Sequence, residues 1–291
     1  MKGFLTRINQ RGGGIVEIIQ QTARRTGEER VTEAAAGMAY YGFFSFFPLL
    51  LVTIVVIGTV LENTLSKEQI LEALLQVFPF SHDLIAENIS QVLGARGSVG
   101  IIGLLGLAWA ALGGFTVLAR NVNRAWPNAK TRNILKMRLM ALIMLTVLIG
   151  GLLVLFVFNT LMDILPKPVN HIAEQATSSQ FFSELSMVML LFITLMVLYW
   201  WLPSTRVLWQ DAAWGALASS ISISIVTRGF TWYLESGLST YNLIYGSLGT
   251  IVALLFWIYL LSLLVFIGAH LSASIAHYRK AKTVNDNENA G

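Results

Sequence analysis

The sequence predicts an all-α membrane protein: a six-transmembrane-helix bundle with short amphipathic helices in its first external loop. Three observations point there. Hydrophobic residues make up 55% of the 291 and charged residues only 12%, about half the charge of a soluble domain, and mean hydropathy is +0.65. Six stretches offer the roughly 20 mostly apolar residues that a helix needs to cross the hydrocarbon core. The basic residues collect in alternate loops. A disordered chain is excluded by this composition. A β-barrel would alternate apolar and polar residues, whereas Leu254–Ala269 is apolar on every face and reads as a helix satisfying its own backbone in lipid.

The elements follow in chain order. Residues 1–30 form a basic N-terminal segment without the apolar core and small-residue cleavage site of a signal peptide. Within it Ile15, Val16, Ile18 and Ile19 suggest a short amphipathic helix lying on the membrane surface, with a frayed basic tail as the alternative. Residues 31–277 form the transmembrane domain. Span one runs from Ala34 to Leu61 and is interrupted by Pro48, which removes a backbone donor and should kink or loosen the helix. Residues 62–98 make the largest external loop, with two amphipathic stretches joined near Pro79. Span two, Val99 to Ala119, carries Gly106, Ala110 and Gly114 at four-residue spacing, a small-residue face suited to close helix contact, within the monomer or in a dimer. Span three is Leu139 to Met162, and the loop Asp163 to Glu184 holds Pro166 and Pro168. Span four, Leu185 to Leu202, ends at Pro203. Span five is Ala212 to Leu234, and span six Leu248 to Leu271. Residues 278–291 read as a disordered C-terminal tail.

Charge sets the orientation. Sixteen of the 20 Lys and Arg residues fall in the N-terminal segment, the loop after span two, the loop after span four and the C-terminal tail; Lys67, Arg96 and Lys167 lie on the other side. The positive-inside rule places both termini in the cytoplasm, as an even number of spans requires. The basic loops then serve orientation and contact with anionic lipid, with Arg120 and Arg124, one turn apart, as candidate headgroup contacts. Nucleic acid is not expected as a partner.

Span five holds the unusual polarity. Ser220, Ser224, Thr227, Thr231 and Glu235 fall near one helical face, with Arg228 beside it. An ionisable side chain within a span costs about 2.5–3.5 kcal/mol at mid-helix on insertion scales. Arg228 either snorkels outward or faces a polar interior, where its guanidinium could hold a phosphate or carboxylate. With Tyr40, Tyr41, Ser45 and Pro48 of span one, these residues form the candidate pathway or anion site. Broken helices line binding sites in transporters; a packing kink is the plainer reading of Pro48. Asp211 stands where an acid caps a helix start.

No catalytic chemistry is apparent. There are no cysteines, the four histidines have no metal-ligand spacing, and no phosphate-binding or nucleophile motif is present. No catalytic residue, metal or cofactor is expected.

Three stretches carry a family resemblance: AAAGMAYYGFFSFFPLLL from Ala34, AWAALGGFTVLARNVNRAW from Ala108, and YNLIYGSLGTIVALLFWIYLLSLLVFIGAHLSASI from Tyr241, with LPSTRVLWQDAAWGALASS from Leu202 between them. Together they resemble the YihY/BrkB family of bacterial inner-membrane proteins, some of which carried a ribonuclease BN-like label. The resemblance covers residues 25–277 and implies six spans with both termini inside, a place in envelope integrity and virulence, and a suspected transport role for lipid. Many relatives have Glu where this chain has His270, so the resemblance does not carry a proton- or cation-linked role to that position. The expectation is an inner-membrane transporter or flippase-like protein for a lipid or other amphipathic anion, contacting membrane lipids and able to form a homo-oligomer. The alternative is a non-transporting envelope scaffold that binds a protein partner through residues 62–98. A membrane-associated hydrolase or nuclease comes third.

Overall fold

A computed structural model describes residues 14–60, 101–127, 129–130, 133, 135–144, 146–147, 150–151, 179–236 and 247–290. All regular structure among them is helical: α1 (Ile15–Glu28), α2 (Val31–Val60), α3 (Ile101–Arg124), α4 (Ser179–Trp201), α5 (Trp209–Glu235) and α6 (Ser247–Ala290), with a further helical stretch at 135–144. The expected surface at 62–98 and the loop 163–178 lie outside the described residues. So do most of span three and the side chains of Gly106 and Ala110.

α6 organises the bundle. It touches every other labelled helix, standing between an α2–α3 pair and an α4–α5 pair. Forty-four residues long, it extends ~66 Å at 1.5 Å per residue, about twice the hydrocarbon thickness. Its central and C-terminal part, Ile251–Val284, is the one helix among the described residues that is long and apolar enough to cross a membrane by hydropathy alone. The tail expected to be disordered is instead helical through Ala290. Arg279 ties it to α5, Tyr278 lies against Gly14, and Thr283 Oγ1 donates to the Arg279 carbonyl at 3.0 Å.

Two other expectations can be set beside the structure. α2 is a continuous helix of 30 residues with Pro48 inside it, so span one is not discontinuous. Proline's fixed φ suits a helix, and close packing on both sides holds this one: a Cβ on Gly42 would stand 2.9 Å from Ile258 of α6, and Gly114 of α3 donates its N–H to Ser45 Oγ at 2.9 Å. α1 is the helix expected around Ile15, Val16, Ile18 and Ile19, and Ile15 and Ile19 are exposed on it. It runs antiparallel along the far end of α6: Gly14 meets Tyr278, Gln21 Nε2 lies 3.3 Å from His277 Nδ1, and Arg25 lies within electrostatic range of His270. Gly14, with φ of 86°, opens α1, and Arg30, with φ of 51°, turns the chain into α2.

The four basic segments converge on one end of the bundle. Arg124, at the end of α3, stands 3.8 Å from Glu29. Asn123 Oδ1 accepts from the Ser204 N–H at 2.7 Å, and Arg279 pairs with Asp211. The buried core is concentrated there too, around Val31, Ala35, Val122, Trp126, Leu198, Tyr199, Ala212, Ala216, Ala269 and Ala273.

Candidate functional site

Small residues make this basic end close. Gly215 of α5 and Gly268 of α6 meet backbone to backbone: a Cβ on Gly215 would stand 2.6 Å from the Gly268 carbonyl oxygen, and one on Gly268 would collide with Ser219 Oγ. With Ser219 and Ser272 each four residues further on, both helices carry the small-xxx-small spacing that lets backbones approach. Tyr199 of α4, fully buried, reaches into this crossing. Its hydroxyl donates to the Val265 carbonyl at 2.7 Å and lies 3.0 Å from Ser219 Oγ, which is in turn 3.2 Å from the Leu264 carbonyl. Hydroxyls thus bond helix to helix where few side-chain atoms fit.

One turn toward the termini, Ser272 Oγ donates to the Asp211 carbonyl at 2.9 Å. The Asp211 carboxylate accepts from Arg279, whose other terminal nitrogen donates to Gln210 Oε1 at 3.2 Å. Asp211 was expected to cap α5. The N-cap is Leu208, without a side-chain cap bond, and Asp211, 2% exposed, is spent on the pair with α6. Burial pushes its carboxyl above the usual carboxylate range, with Arg279 and Lys280 opposing. The ion pair therefore offsets a desolvation cost more than it adds net stability.

The outward face of α5 has the opposite character. Trp214, Leu217, Ile221, Ile225, Arg228 and Trp232 form an exposed ridge along the helix at three- and four-residue spacings. Arg228 is exposed on that ridge, as in the outward-facing of its two readings. The hydroxyl stripe beside it does turn inward: Ser220 is buried and donates to the Leu217 carbonyl at 3.1 Å, while Ser224, Thr227 and Thr231 are half-buried. Beyond Arg228 a Cβ on Gly229 would meet nothing within 4 Å. The side chain of Glu235 lies outside the described residues.

The span-one candidates separate as well. Ser45 is buried and holds Gly114, whereas Tyr40 and Tyr41 are exposed in an aromatic patch with Phe44, the Tyr40 and Phe44 rings 4.9 Å apart. Gly114 is in contact with Gly42 and Ser45 of α2, so at this position the small-residue face of span two packs within the monomer. Arg120 and Arg124 are both exposed at the basic end. Arg138, at the start of the helical stretch after α3, stacks 3.5 Å over the Trp109 ring. Among the described residues no three His, Asp or Glu side chains gather as a metal site. The Gly215–Ser219–Gly268–Tyr199 crossing went unread in the sequence, although the small-residue spacing signals two of its members.

The sequence family described as virulence factor BrkB matches residues 22–291. A UPF0761 membrane protein of Vibrio vulnificus is 26% identical over 96% of this chain and 89% of its own length. One of Pseudoalteromonas translucida is 29% identical over 88% of this chain and 85% of its own. The Bacillus subtilis protein YfkH, whose name describes it as ribonuclease-like, is 25% identical over 84% of this chain and 90% of its own. No solved structure matches the chain.

Proposed function

Because the chain belongs to the BrkB virulence-factor family and is an integral membrane protein, we propose that it moves a lipid or other amphipathic anion across the bacterial inner membrane, through a six-span bundle with both termini in the cytoplasm. The observation that carries this reading is the asymmetry of the bundle. One end is closed by the Gly215–Gly268 crossing, the Tyr199–Ser219 contact and the Asp211–Arg279 pair. Toward the other end the half-buried hydroxyls Ser224, Thr227 and Thr231 run along α5 beside an open Gly229. A bundle shut at one end and lined with hydroxyls toward the other has the form of one state of an alternating-access carrier.

Two features support the membrane placement. Trp214 and Trp232 stand on the same exposed ridge, 62% and 65% exposed. Their separation of 18 positions corresponds to ~27 Å of helix, close to the ~30 Å hydrocarbon core whose two interfaces favour tryptophan. Arg228, one turn before Trp232, then sits near the outer headgroups, where an arginine snorkels at little cost. The basic end becomes the cytoplasmic end.

The test is transport by the purified chain in liposomes of phosphatidylcholine and phosphatidylglycerol carrying a fluorescent phosphatidylglycerol, with leaflet exchange read by dithionite quenching. Exchange well above protein-free vesicles is expected. Exchange at the protein-free rate, from folded and correctly inserted protein, would contradict transport of this lipid class. Orientation is checked separately: single cysteines at Ser81 and Ser178 should react with an impermeant thiol reagent outside intact cells, and one at Asn128 should not.

A further inference from the structure

The seam between α1 and α6 contains polar groups that the fold leaves unsatisfied. His270 and Ser274 lie one turn apart on α6, 2% and 0% exposed, and neither His270 Nδ1 nor Ser274 Oγ has a hydrogen-bond partner among the described residues. Burying an unpaired polar group costs about 1–3 kcal/mol, so two on one face are a conspicuous expense. Arg25 of α1 lies within electrostatic range of the His270 imidazole. The neighbouring arginines are committed, Arg24 to Glu28 at 2.7 Å and Arg30 to Glu33 at 2.5 Å, whereas Arg25 forms no ion pair among the described residues. On its outward side the seam is closed by Gln21 and His277.

We propose that Arg25, His270 and Ser274 form a binding site for an anionic phosphate group at the cytoplasmic interface. The chemistry of the three groups selects the ligand. A ring N–H at Nδ1 and a hydroxyl can each donate, and a guanidinium supplies charge and a planar fork of donors, the combination that phosphate oxygens accept best. A neutral ligand would leave Arg25 uncompensated, and a cation would be repelled by it. The level in the membrane also fits. His270 is at the inner end of the apolar stretch of α6, where lipid phosphates lie, and α1 approaches from the cytoplasmic side. The phosphate belongs either to an inner-leaflet lipid headgroup or to free phosphate. The site does not depend on whether the protein transports lipid.

The test uses the full chain in a neutral detergent. Its melting temperature is measured alone, with phosphatidylglycerol, with phosphatidylcholine and with inorganic phosphate, for the native chain and for Arg25→Gln and Ser274→Ala. Ser274→Ala removes a hydroxyl that bonds nothing, so its melting temperature without lipid should equal or exceed the native value. Phosphatidylglycerol should raise the native melting temperature by several degrees and phosphatidylcholine should not. The concentration needed for half of this shift should rise about tenfold in Arg25→Gln, the loss of one charge-assisted contact, and severalfold in Ser274→Ala. A shift from phosphatidylglycerol alone assigns a lipid headgroup; an equal, Arg25-dependent shift from inorganic phosphate assigns a site open to the free anion. Should Arg25→Gln fail to fold, Ser274→Ala decides alone. No anion-dependent shift in the native chain, or one undiminished in the variants that fold, overturns the proposal.

Discussion

The two halves of α5 share one helix and serve opposite ends of the bundle. In the first half Asp211, Ala212, Gly215, Ala216, Ser219 and Ser220 are buried, and the glycine is there because a carbonyl of α6 occupies the place of its side chain. In the second half Ile225, Arg228, Gly229 and Trp232 are exposed, and the glycine has open space around it. The contrast teaches that polarity on a membrane helix has two uses. Serine packed against backbone is a spacer with a hydrogen bond, whereas serine and threonine along a half-open edge remain available to something else. Residue type does not separate the two; the neighbour does.

The comparison can be broken most severely at its glycines. Gly215→Ala should cost about 3 kcal/mol, or prevent folding, because the added methyl would stand 2.6 Å from the Gly268 carbonyl oxygen and cannot displace backbone. Gly229→Ala should stay within about 0.5 kcal/mol. Thermal unfolding of both in the same detergent checks this, and equal losses would mean that the two halves are packed alike. Tyr199→Phe comes next, removing a buried hydroxyl bonded to Val265, at about 1–2 kcal/mol by the same assay. Arg279→Gln leaves Asp211 buried without its charged partner and should cost about 1–2 kcal/mol, less than a fully buried pair because Arg279 is about one-third exposed. A small effect is expected at Arg228, on the exposed ridge: Arg228→Ala should change melting by less than about 1 kcal/mol, the worth of an exposed polar contact, and a larger destabilisation would show that the residue supports the fold.

Much of the helical bundle was legible because long apolar runs report helices. Span one at Ala34 to Leu61 became Val31–Val60, span four at Leu185 to Leu202 became Ser179–Trp201, and span five at Ala212 to Leu234 became Trp209–Glu235. Charge placement anticipated which segments meet at one end, since Arg124, Ser204, Asp211 and Arg279 do gather there. Rotation was not legible. Thr227 and Arg228 are adjacent, about 100° apart around the helix, and only packing decides which faces inward. The length of α6 was hidden because its last turns are polar, and His277, Tyr278 and Arg279 meet α1 and Asp211, partners remote in sequence. Pro48 does not end α2, and Gly42 and Ser45 join that helix to two neighbours.

Under the proposed function the basic end of the bundle is shut and faces the cytoplasm, and the hydroxyls of α5 are reached from the other side. The chain has no cysteine, so single cysteines at Ser220, Ser224, Thr227 and Thr231 can be read one at a time with a charged thiol reagent applied to either face of oriented vesicles. From the external face, the account predicts fast labelling at Thr231 and Thr227 and slower labelling at Ser224. At Ser220 it predicts none from either face. Labelling of Ser220 from the cytoplasmic face at the rate of Thr231, or silence at all four positions from outside, would contradict it.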